Sequence, residues 1–459
     1  MKLLRLTALF SALFVTQILF AQTNEKWTLE KCIDYAFKNN ITIRQAGLAA
    51  NVSGNQLLQS KLNLLPSLNA TGNYGFNFGS SIDPATYTFV QGNSQTGQVS
   101  LQGNLTLFNG MQQIYTIQKT KYDLLGSQYD YENAKSNMGL NIASAYLQIL
   151  LNREIAQVAQ KQQQLTTDQQ DMVKKKFDAG SLPETSLLEV DAQLSRDEAN
   201  VVNTKGIYDL SVLALKQMLQ LNDDAPFDIV VPEVIADKME GIADVTSGGV
   251  YNYAVKNQPS IKSAEAKWLS SESAVKVAKG FITPNISAYF DITTGYASNA
   301  QNLVFDSTNI FNSHYDKPTV SQQFHQNFRQ IVGFQVNIPI FGKGQVFLNI
   351  SNAKLQQQIR QLDFENAKVK LRQDIDQAYV NAQVAAQNYI ANKKSYESTQ
   401  KAYYSLQKRF DAGLVTNFDL QQSKNNLASA ESEMIKAKYT YVFRVKILDY
   451  YQGKALTLN

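Results

Sequence analysis

The sequence predicts a mixed α/β membrane protein that is internally duplicated and combines long coiled-coil-like helices with strands of a transmembrane β-barrel. Three observations lead to this prediction. Short motifs return at a constant spacing, two long runs lack proline, and four segments alternate polar with apolar residues. Four strands cannot close a barrel, for which about eight is the practical minimum. Closure therefore requires several copies, and three copies would supply about twelve strands.

The first 22 residues have the form of a secretory signal peptide, because basic Lys2 and Arg5 precede an apolar stretch that ends at Phe20. This stretch is short for a membrane span of about 20 residues, which makes a membrane anchor the weaker alternative. Removal of 1–22 lowers the formal charge from +4 to +2. Such a small charge gives no indication of a nucleic-acid partner. Cys32 is the single cysteine, which excludes an intramolecular disulfide.

The chain contains two copies of one unit. The tetrapeptide Phe-Asp-Ala-Gly occurs at 177–180 and again at 410–413. Corresponding residues lie 233 apart in the pairs Phe177/Phe410 and Phe108/Phe341, and 218 apart in the pair Pro66/Pro284. The length difference falls inside one segment, which is typical of a surface loop, so 79–97 and 297–328 are predicted to be extracellular loops.

The duplication predicts the boundaries of the domains. The first repeat spans 23–221, a linker spans 222–248, the second repeat spans 249–452, and a tail follows at 453–459. The strands are predicted at about 67–78, 98–108, 285–296 and 330–341, where one face is polar and the other apolar. A half-buried sheet of a soluble protein would give the same alternation.

Two proline-free runs, from Asn109 to Phe177 and from Lys343 to Phe410, predict long helices. A helix of about 65 residues is about 100 Å long. Apolar residues recur at every seventh position before and after each Phe-Asp-Ala-Gly turn: Leu151, Val158, Leu165 and Met172; Leu187, Leu194, Val201, Tyr208 and Leu215; Tyr389, Tyr396, Tyr403 and Phe410; and Leu420, Leu427, Met434, Tyr441 and Leu448. A strict seven-residue period predicts left-handed supercoiling.

Each Phe-Asp-Ala-Gly turn is predicted to be the tip of a helical hairpin. Gly180 and Gly413 are expected in the left-handed conformation that ends many helices. The return helices are expected to begin at Glu184 or Thr185 in the first hairpin. In the second hairpin they are expected to begin at Thr416 or Asn417.

The sequence resembles the TolC-like outer-membrane efflux family. The resemblance covers nearly all of the mature chain and rests on "TLEKCIDYAFKNN", "AKWLSSESAVKVAKGFITPNISAYFDITTGY", "IPIFGKGQ" and both turns with the heptads that follow them. It implies a homotrimer in which twelve strands cross the outer membrane and the helices build an α-barrel through the periplasm. It also implies two protein partners, a periplasmic adaptor and an inner-membrane transporter. The linker and the tail would form the mixed segment around the middle of the tunnel.

The resemblance also implies functional residues. The adaptor would dock on the hairpin tips, which comprise Phe177, Ala179, Gly180, Leu182, Phe410, Ala412, Gly413, Leu414 and Val415. The periplasmic aperture would be lined by Asp419, Gln422, Ser186 and Glu189. The family has a second aspartate where Gln422 stands, so this chain departs from a double acidic ring. The alternative role for Asp419 is stabilisation of its own helix N-terminus. Leu414 and Val415 are both expected to be exposed unless another part of the protein covers them.

The predicted function is a passive exit duct of a tripartite export system, with the cargo either small molecules or secreted proteins. The alternative is a periplasmic coiled-coil spacer that transports nothing. No catalytic set of residues is apparent, because the two histidines, His314 and His325, lie together in a polar loop. No cofactor or metal is expected.

Overall fold

The computed structural model describes residues 26–82, 89–222, 227–232, 246–305, 307 and 314–457. The predicted signal peptide and most of the linker lie outside these residues. The chain divides into two compact units. One unit contains Met1–Leu48, Tyr129–Lys262 and Asn366–Asn459, and the other contains Ala49–Gln128 and Ser263–Glu365.

Both halves of the chain have the same order of elements, except that the second half has an additional short helix before its last strand. In the first half these are α1 (Leu29–Asn39), α2 (Ile41–Leu62), β1 (Ser67–Asn77), β2 (Ser80–Ile82), β3 (Phe89–Gln91), β4 (Ser94–Phe108), α3 (Gln112–Asp178) and α4 (Glu184–Leu219). In the second half these are α5 (Ser247–Asn257), α6 (Pro259–Gly280), β5 (Asn285–Ala297), β6 (Asn302–Val304), β7 (His314–Asp316), α7 (Val320–Gln326), β8 (Arg329–Asn337), α8 (Gln345–Asp411) and α9 (Asn417–Tyr451).

The two long helices have the same length, because α3 and α8 each contain 67 residues. No helix in the described part of the chain has the combination of length and apolar character that a membrane crossing requires.

Four strands form one antiparallel sheet in the order β1-β4-β5-β8, so each half supplies two neighbouring strands. β4 and β5 are in the middle, whereas β1 and β8 are the edges. The fourth strand ends at Asn337, earlier than the predicted Phe341. Pro339 follows two residues later, and proline cannot donate a hydrogen bond to a sheet. The sheet lies within the second unit.

The two predicted loops contain regular structure where they are described. β2 pairs with β3 in the first loop. β6 pairs with β7 in the second, which also contains the helix α7. The side chain of Gln323 on α7 accepts a hydrogen bond from the backbone N–H of Ala297, at 2.9 Å, and this fixes α7 against the end of β5. β4 begins at Ser94, inside the first predicted loop.

The main apolar core lies in the first unit. Residues from α1, α3, α4, α8 and α9 contribute to it, and Ile142, Ile149 and Leu215 are fully buried there. The hydroxyl of Tyr146 is 2.6 Å from the carbonyl oxygen of Val230, which ties a linker segment to α3. Trp27 forms a parallel bridge with Ile229 in the same segment.

The buried stripe of α3 is displaced by one residue from the predicted one. Asn152, Ala159, Thr166 and Val173 are buried at seven-residue intervals, whereas Met172 is 38% exposed. On α4 the buried stripe is Val190, Asp197 and Thr204, whereas in the predicted stripe Leu215 is buried and Leu187 and Leu194 are half-buried. The reason is that both helices carry two neighbouring stripes with the same period, and the more polar stripe faces the helices of the same chain. On α8 the predicted stripe is buried at Tyr389, Tyr403 and Phe410.

Candidate functional site at the hairpin tips

The two Phe-Asp-Ala-Gly turns have the same hydrogen-bonded structure. Gly180 has φ +70° and Gly413 has φ +74°, which confirms the predicted left-handed conformation. The N–H of Gly413 donates to the carbonyl of Phe410 at 3.0 Å, and the N–H of Leu414 donates to the carbonyl of Arg409 at 2.9 Å. Gly180 and its neighbours form the equivalent pair of bonds. These bonds define a Schellman motif, which explains why glycine recurs at the fourth position of both turns.

The return helices begin differently. Thr416 is the N-cap of α9, and it forms a capping box with Asp419. Pro183 is the N-cap of α4, where it makes no side-chain cap. Proline has no N–H to donate, so Ser186, three residues later, cannot form the second half of a capping box with it. The two hairpins therefore have the same turn structure, but their return helices are capped differently.

The Asp419 carboxylate is bound to the start of its own helix. Its Oδ2 accepts hydrogen bonds from the hydroxyl of Thr416 at 2.7 Å and from the backbone N–H of Thr416 at 3.1 Å. These two bonds lower the pKa of the Asp419 carboxyl below its usual value, and the bond from the hydroxyl has the larger effect. The alternative role assigned to Asp419, stabilisation of a helix N-terminus, is therefore present in the structure.

Exposed apolar side chains follow the second turn. Leu414 is 70% exposed and Phe418 is 68% exposed. Val415 is covered, because it packs against a small cluster formed by Tyr403, Phe410 and Leu420. The Phe410 ring also lies 4.8 Å from the ammonium of Lys176, near the end of α3. This contact connects the ends of the two hairpins.

The other tip residues differ in exposure. Ala179, Gly180, Ala412 and Gly413 are exposed, whereas Phe177 and Leu182 are half-buried. The exposed backbone of the turns and the two apolar side chains beyond the second turn form one surface at the end of the hairpins. We call this surface, formed by 177–182 and 410–418, the tip surface.

The four predicted aperture residues are not all brought together. Glu189 on α4 and Gln422 on α9 line one groove between the two return helices, with Phe418 at the same groove. Ser186 and Asp419 are not among the residues that line it. Ser186 is half-buried and Asp419 is exposed.

A buried polar cluster connects the two hairpins, and the sequence analysis missed it. The ammonium of Lys424 donates to the hydroxyl of Thr166 at 2.5 Å, and this hydroxyl donates to the carboxylate of Asp197. The second oxygen of Asp197 accepts from the Gln193 amide at 2.8 Å. Lys424 is 2% exposed. Burial lowers the pKa of its ammonium to about 8, although the nearby carboxylates Asp197 and Asp168 oppose this change.

A second connection runs parallel to this cluster. The side-chain amide of Gln169 on α3 donates to Asn417 on α9 at 2.6 Å. The amide of Gln162 donates to Asn425, also on α9, at 3.3 Å. The signal that would have found these residues is a polar residue on a seven-residue stripe. Lys424 stands between Leu420 and Leu427 on the predicted stripe side of α9.

The fold and these hairpins define a class of protein, the outer-membrane channel with duplicated helical hairpins. The sequence profile described as "Outer membrane efflux protein" matches residues 32–220 and 250–449. The chain belongs to this family, and the protein is an outer-membrane efflux channel and not an enzyme. The family assignment also excludes the alternative of a spacer that transports nothing.

Individual relatives are distant in sequence and similar over most of their length. The outer membrane efflux protein BepC of Brucella suis is 22% identical over 93% of this chain and 85% of its own length. The alkaline protease secretion protein AprF of Pseudomonas aeruginosa is 21% identical over 83% of this chain and 76% of its own. The crystal structure of the Campylobacter jejuni CmeC outer membrane channel superposes with a TM-score of 0.74, at 18% identity, and covers 95% of this chain and 87% of CmeC.

Proposed function

We propose that this channel is the passive exit duct of a tripartite export system. Three copies assemble, and their twelve strands close a β-barrel in the outer membrane. Their helices continue as an α-barrel in the periplasm. The tip surface binds a periplasmic adaptor, which connects the duct to a transporter in the inner membrane. The transporter supplies the energy.

The observation that carries this proposal is the exposure of Leu414 and Phe418 beside a rigid turn. Exposed apolar side chains that lie close together are typical of a protein-protein contact. The Schellman turn holds them in place, since its two hydrogen bonds fix the backbone of Leu414. Two such turns in each copy would give a trimer six tips, and a ring of tips suits a circular joint with a partner.

The edges of the sheet support assembly. Among the strands of the described residues, β1 pairs with β4 alone and β8 pairs with β5 alone. Each edge strand presents unpaired backbone groups, which favour pairing with another chain. Pairing of β8 of one copy with β1 of the next satisfies both edges. The half-exposed leucine stripes of α3 and α4 would pack against the neighbouring copies in the same assembly.

The aperture is proposed at the return helices. Glu189 and Gln422 line the groove between α4 and α9, with Ser186 and Asp419 one turn nearer the tips. Three copies of Asp419 would form one acidic ring. The capping bonds from Thr416 lower the pKa of the Asp419 carboxyl.

The test replaces Leu414 and Phe418 with aspartate, singly and together. A desolvated apolar contact in an interface contributes about 2 kcal/mol or more, so each variant should weaken adaptor binding at least about tenfold. Phe89→Asp is the matched control, because Phe89 is 80% exposed and belongs to the first loop and not to the tip surface. Binding is measured with the purified channel and its adaptor, and export by drug susceptibility and secreted protein of cells that carry only the variant.

We expect the three tip variants to lose binding and export while the oligomer in the membrane persists. We expect Phe89→Asp to retain adaptor binding, export and the oligomer. Normal binding by the double variant would contradict docking at the tip surface. Relatives with efflux and with secretion in their names match at nearly equal identity. The proposal therefore concerns the duct, and the two export assays distinguish small-molecule from protein cargo.

A further inference from the structure

The strands of the sheet carry two charged residues, and both lie on the same face. Across β1, β4, β5 and β8, Asp291 and Arg329 are the charged side chains. The face that they share is polar. It contains serine, threonine, asparagine and glutamine, whereas Leu101, Ile292 and Phe334 lie on the opposite face.

The strand register places the two charges in neighbouring rows. Asp291 is opposite Ile331, and Thr293 is opposite Arg329, so Arg329 stands one row closer to the second loop. Side chains on one face of a strand repeat every two residues, which separates the rows by about 7 Å. The row of Asp291 continues through Gln102 to Asn69 on β1.

The carboxylate of Asp291 is held in position by its neighbour. The Gln102 amide donates to Oδ2 of Asp291 at 2.8 Å. Arg329 is exposed, and both charges line one open groove on the polar face, together with Ser67, Tyr289 and Thr293. A solute that moves along this face therefore meets a cationic row and then an anionic row.

We propose that Asp291 and Arg329 form a two-row electrostatic filter for charged solutes inside the barrel. This inference rests on the proposed duct, because the polar face lines water only when the strands close around a lumen. Three copies give three guanidinium groups that attract anions and three carboxylates that attract cations. Because the rows are close, each weakens the field of the other, so each row acts locally, and removal of either one exposes the sign preference of the other.

The test places a reporter thiol between the two charges. Ile331→Cys stands opposite Asp291 on the polar face, two residues from Arg329. Intact cells at low ionic strength are treated with methanethiosulfonate reagents that carry either a trimethylammonium or a sulfonate group, and the two modification rates are compared. Val332→Cys is the matched control, because it is adjacent, 82% exposed and on the other face. The native Cys32 is fully buried.

In the Ile331→Cys background, Arg329→Gln should raise the ratio of the cationic to the anionic modification rate by at least about threefold. This factor is the effect of removing one unit charge that lies about 7 Å away in water. Asp291→Asn should lower this ratio by a similar factor, and the double variant should return it close to the starting value. High salt should reduce both changes. All variants are compared at equal amounts of detergent-extracted oligomer.

Two results would overturn the proposal, and they have different meanings. If Ile331→Cys is labelled and neither charge substitution changes the ratio of the two rates, the filter proposal is wrong and the proposed duct is not affected. Labelling of Val332→Cys in place of Ile331→Cys would show that the polar face does not line the lumen, and would contradict the proposed duct together with the filter.

Discussion

The hydroxyl and the backbone N–H of Thr416 both donate to the carboxylate of Asp419, at 2.7 and 3.1 Å. The Asp419 N–H donates back to the hydroxyl of Thr416 at 3.2 Å. This capping box begins the return helix of the second hairpin. The residue that the family resemblance assigns to the aperture is therefore also a residue that organises its own helix.

The capping box predicts a pH dependence. The pKa of Asp419 is lower in the folded protein than in the unfolded chain, so its contribution to stability is present above the unfolded pKa. The contribution is lost as pH falls through the folded pKa. We expect Asp419→Asn to lower the unfolding temperature slightly at neutral pH and to have no effect once the carboxyl of the parent protein is protonated.

Thr416→Ala separates the two roles of Asp419. It removes the cap and leaves the carboxylate in place, so it should reproduce the stability loss of Asp419→Asn without changing ion conductance through the aperture. Equal conductance in the parent and in both variants would mean that Asp419 acts only as a cap. Thermal unfolding by circular dichroism and single-channel recording in bilayers provide the two measurements.

The left-handed glycines predict a graded series. A Cβ at Gly413 would meet no atom within 4 Å, so a substitution there is opposed by backbone conformation alone. Gly413→Ala should cost about 1–2 kcal/mol of hairpin stability, and Gly413→Asn less, because asparagine tolerates the left-handed region. Gly180 has the same geometry and should give the same order. Equal effects of alanine and asparagine in denaturant unfolding would be inconsistent with this explanation.

The buried Lys424 predicts that stability changes at alkaline pH. Its pKa is about 8 when folded and about 10.5 when unfolded. Between these values the unfolded chain binds more protons than the folded chain, so the contribution of Lys424 to stability rises with pH across this window. Lys424→Met should abolish this rise. At pH 7 this variant also leaves the buried Asp197 carboxylate without its cation, a loss of stability that acts against the gain from removing the buried ammonium.

Lys424→Met combined with Asp197→Asn is the matched control for this effect. The double variant has no unpaired buried charge and should therefore be more stable than the single variant. An unfolding temperature of Lys424→Met that rises with pH as steeply as that of the parent would show that Lys424 does not carry the effect.

Insertion of an epitope tag tests the orientation of the loops. Ser94 is the first residue of β4, pairs with Asn77 and is buried, so a tag there should disrupt the sheet. Gly92 is exposed and lies outside the strands, and a tag at this position should be tolerated. We expect antibody to label the Gly92 insertion on intact cells. Labelling that requires permeabilisation of the outer membrane would reverse the proposed orientation. The corresponding insertion site in the second loop would be Ser313, which lies outside the described residues.

Much of the architecture was predictable from the sequence, because duplication and periodicity are properties of the sequence itself. The long helices, the four alternating strands and the left-handed Gly180 and Gly413 all follow from local patterns. The predicted buried stripe of α3 lies one residue away from the observed one. A seven-residue period predicts the spacing of a stripe, but it does not show which of two neighbouring stripes packs against the other helices of the same chain. Thr166 and Asp197 were missed for the same reason.

The differences between the two hairpins were harder to predict from the sequence. Val415 packs inward because a cluster formed by Tyr403, Phe410 and Leu420 is within its reach. A local pattern does not show such a contact, since Tyr403 lies on α8 and Val415 lies between α8 and α9. The capping box of Asp419 was in contrast visible in the sequence, as a threonine followed three residues later by an acid.

The central claim is that three copies of this chain close one duct, and the mass of the extracted oligomer tests it most directly. The full chain has a mass of 51.3 kDa. The protein is extracted from outer membranes in detergent without heating, and its mass is measured by native mass spectrometry beside that of the unfolded chain. We predict a single species with three times the mass of the mature chain. A stable species with the mass of one chain that conducts ions in a bilayer would contradict the account.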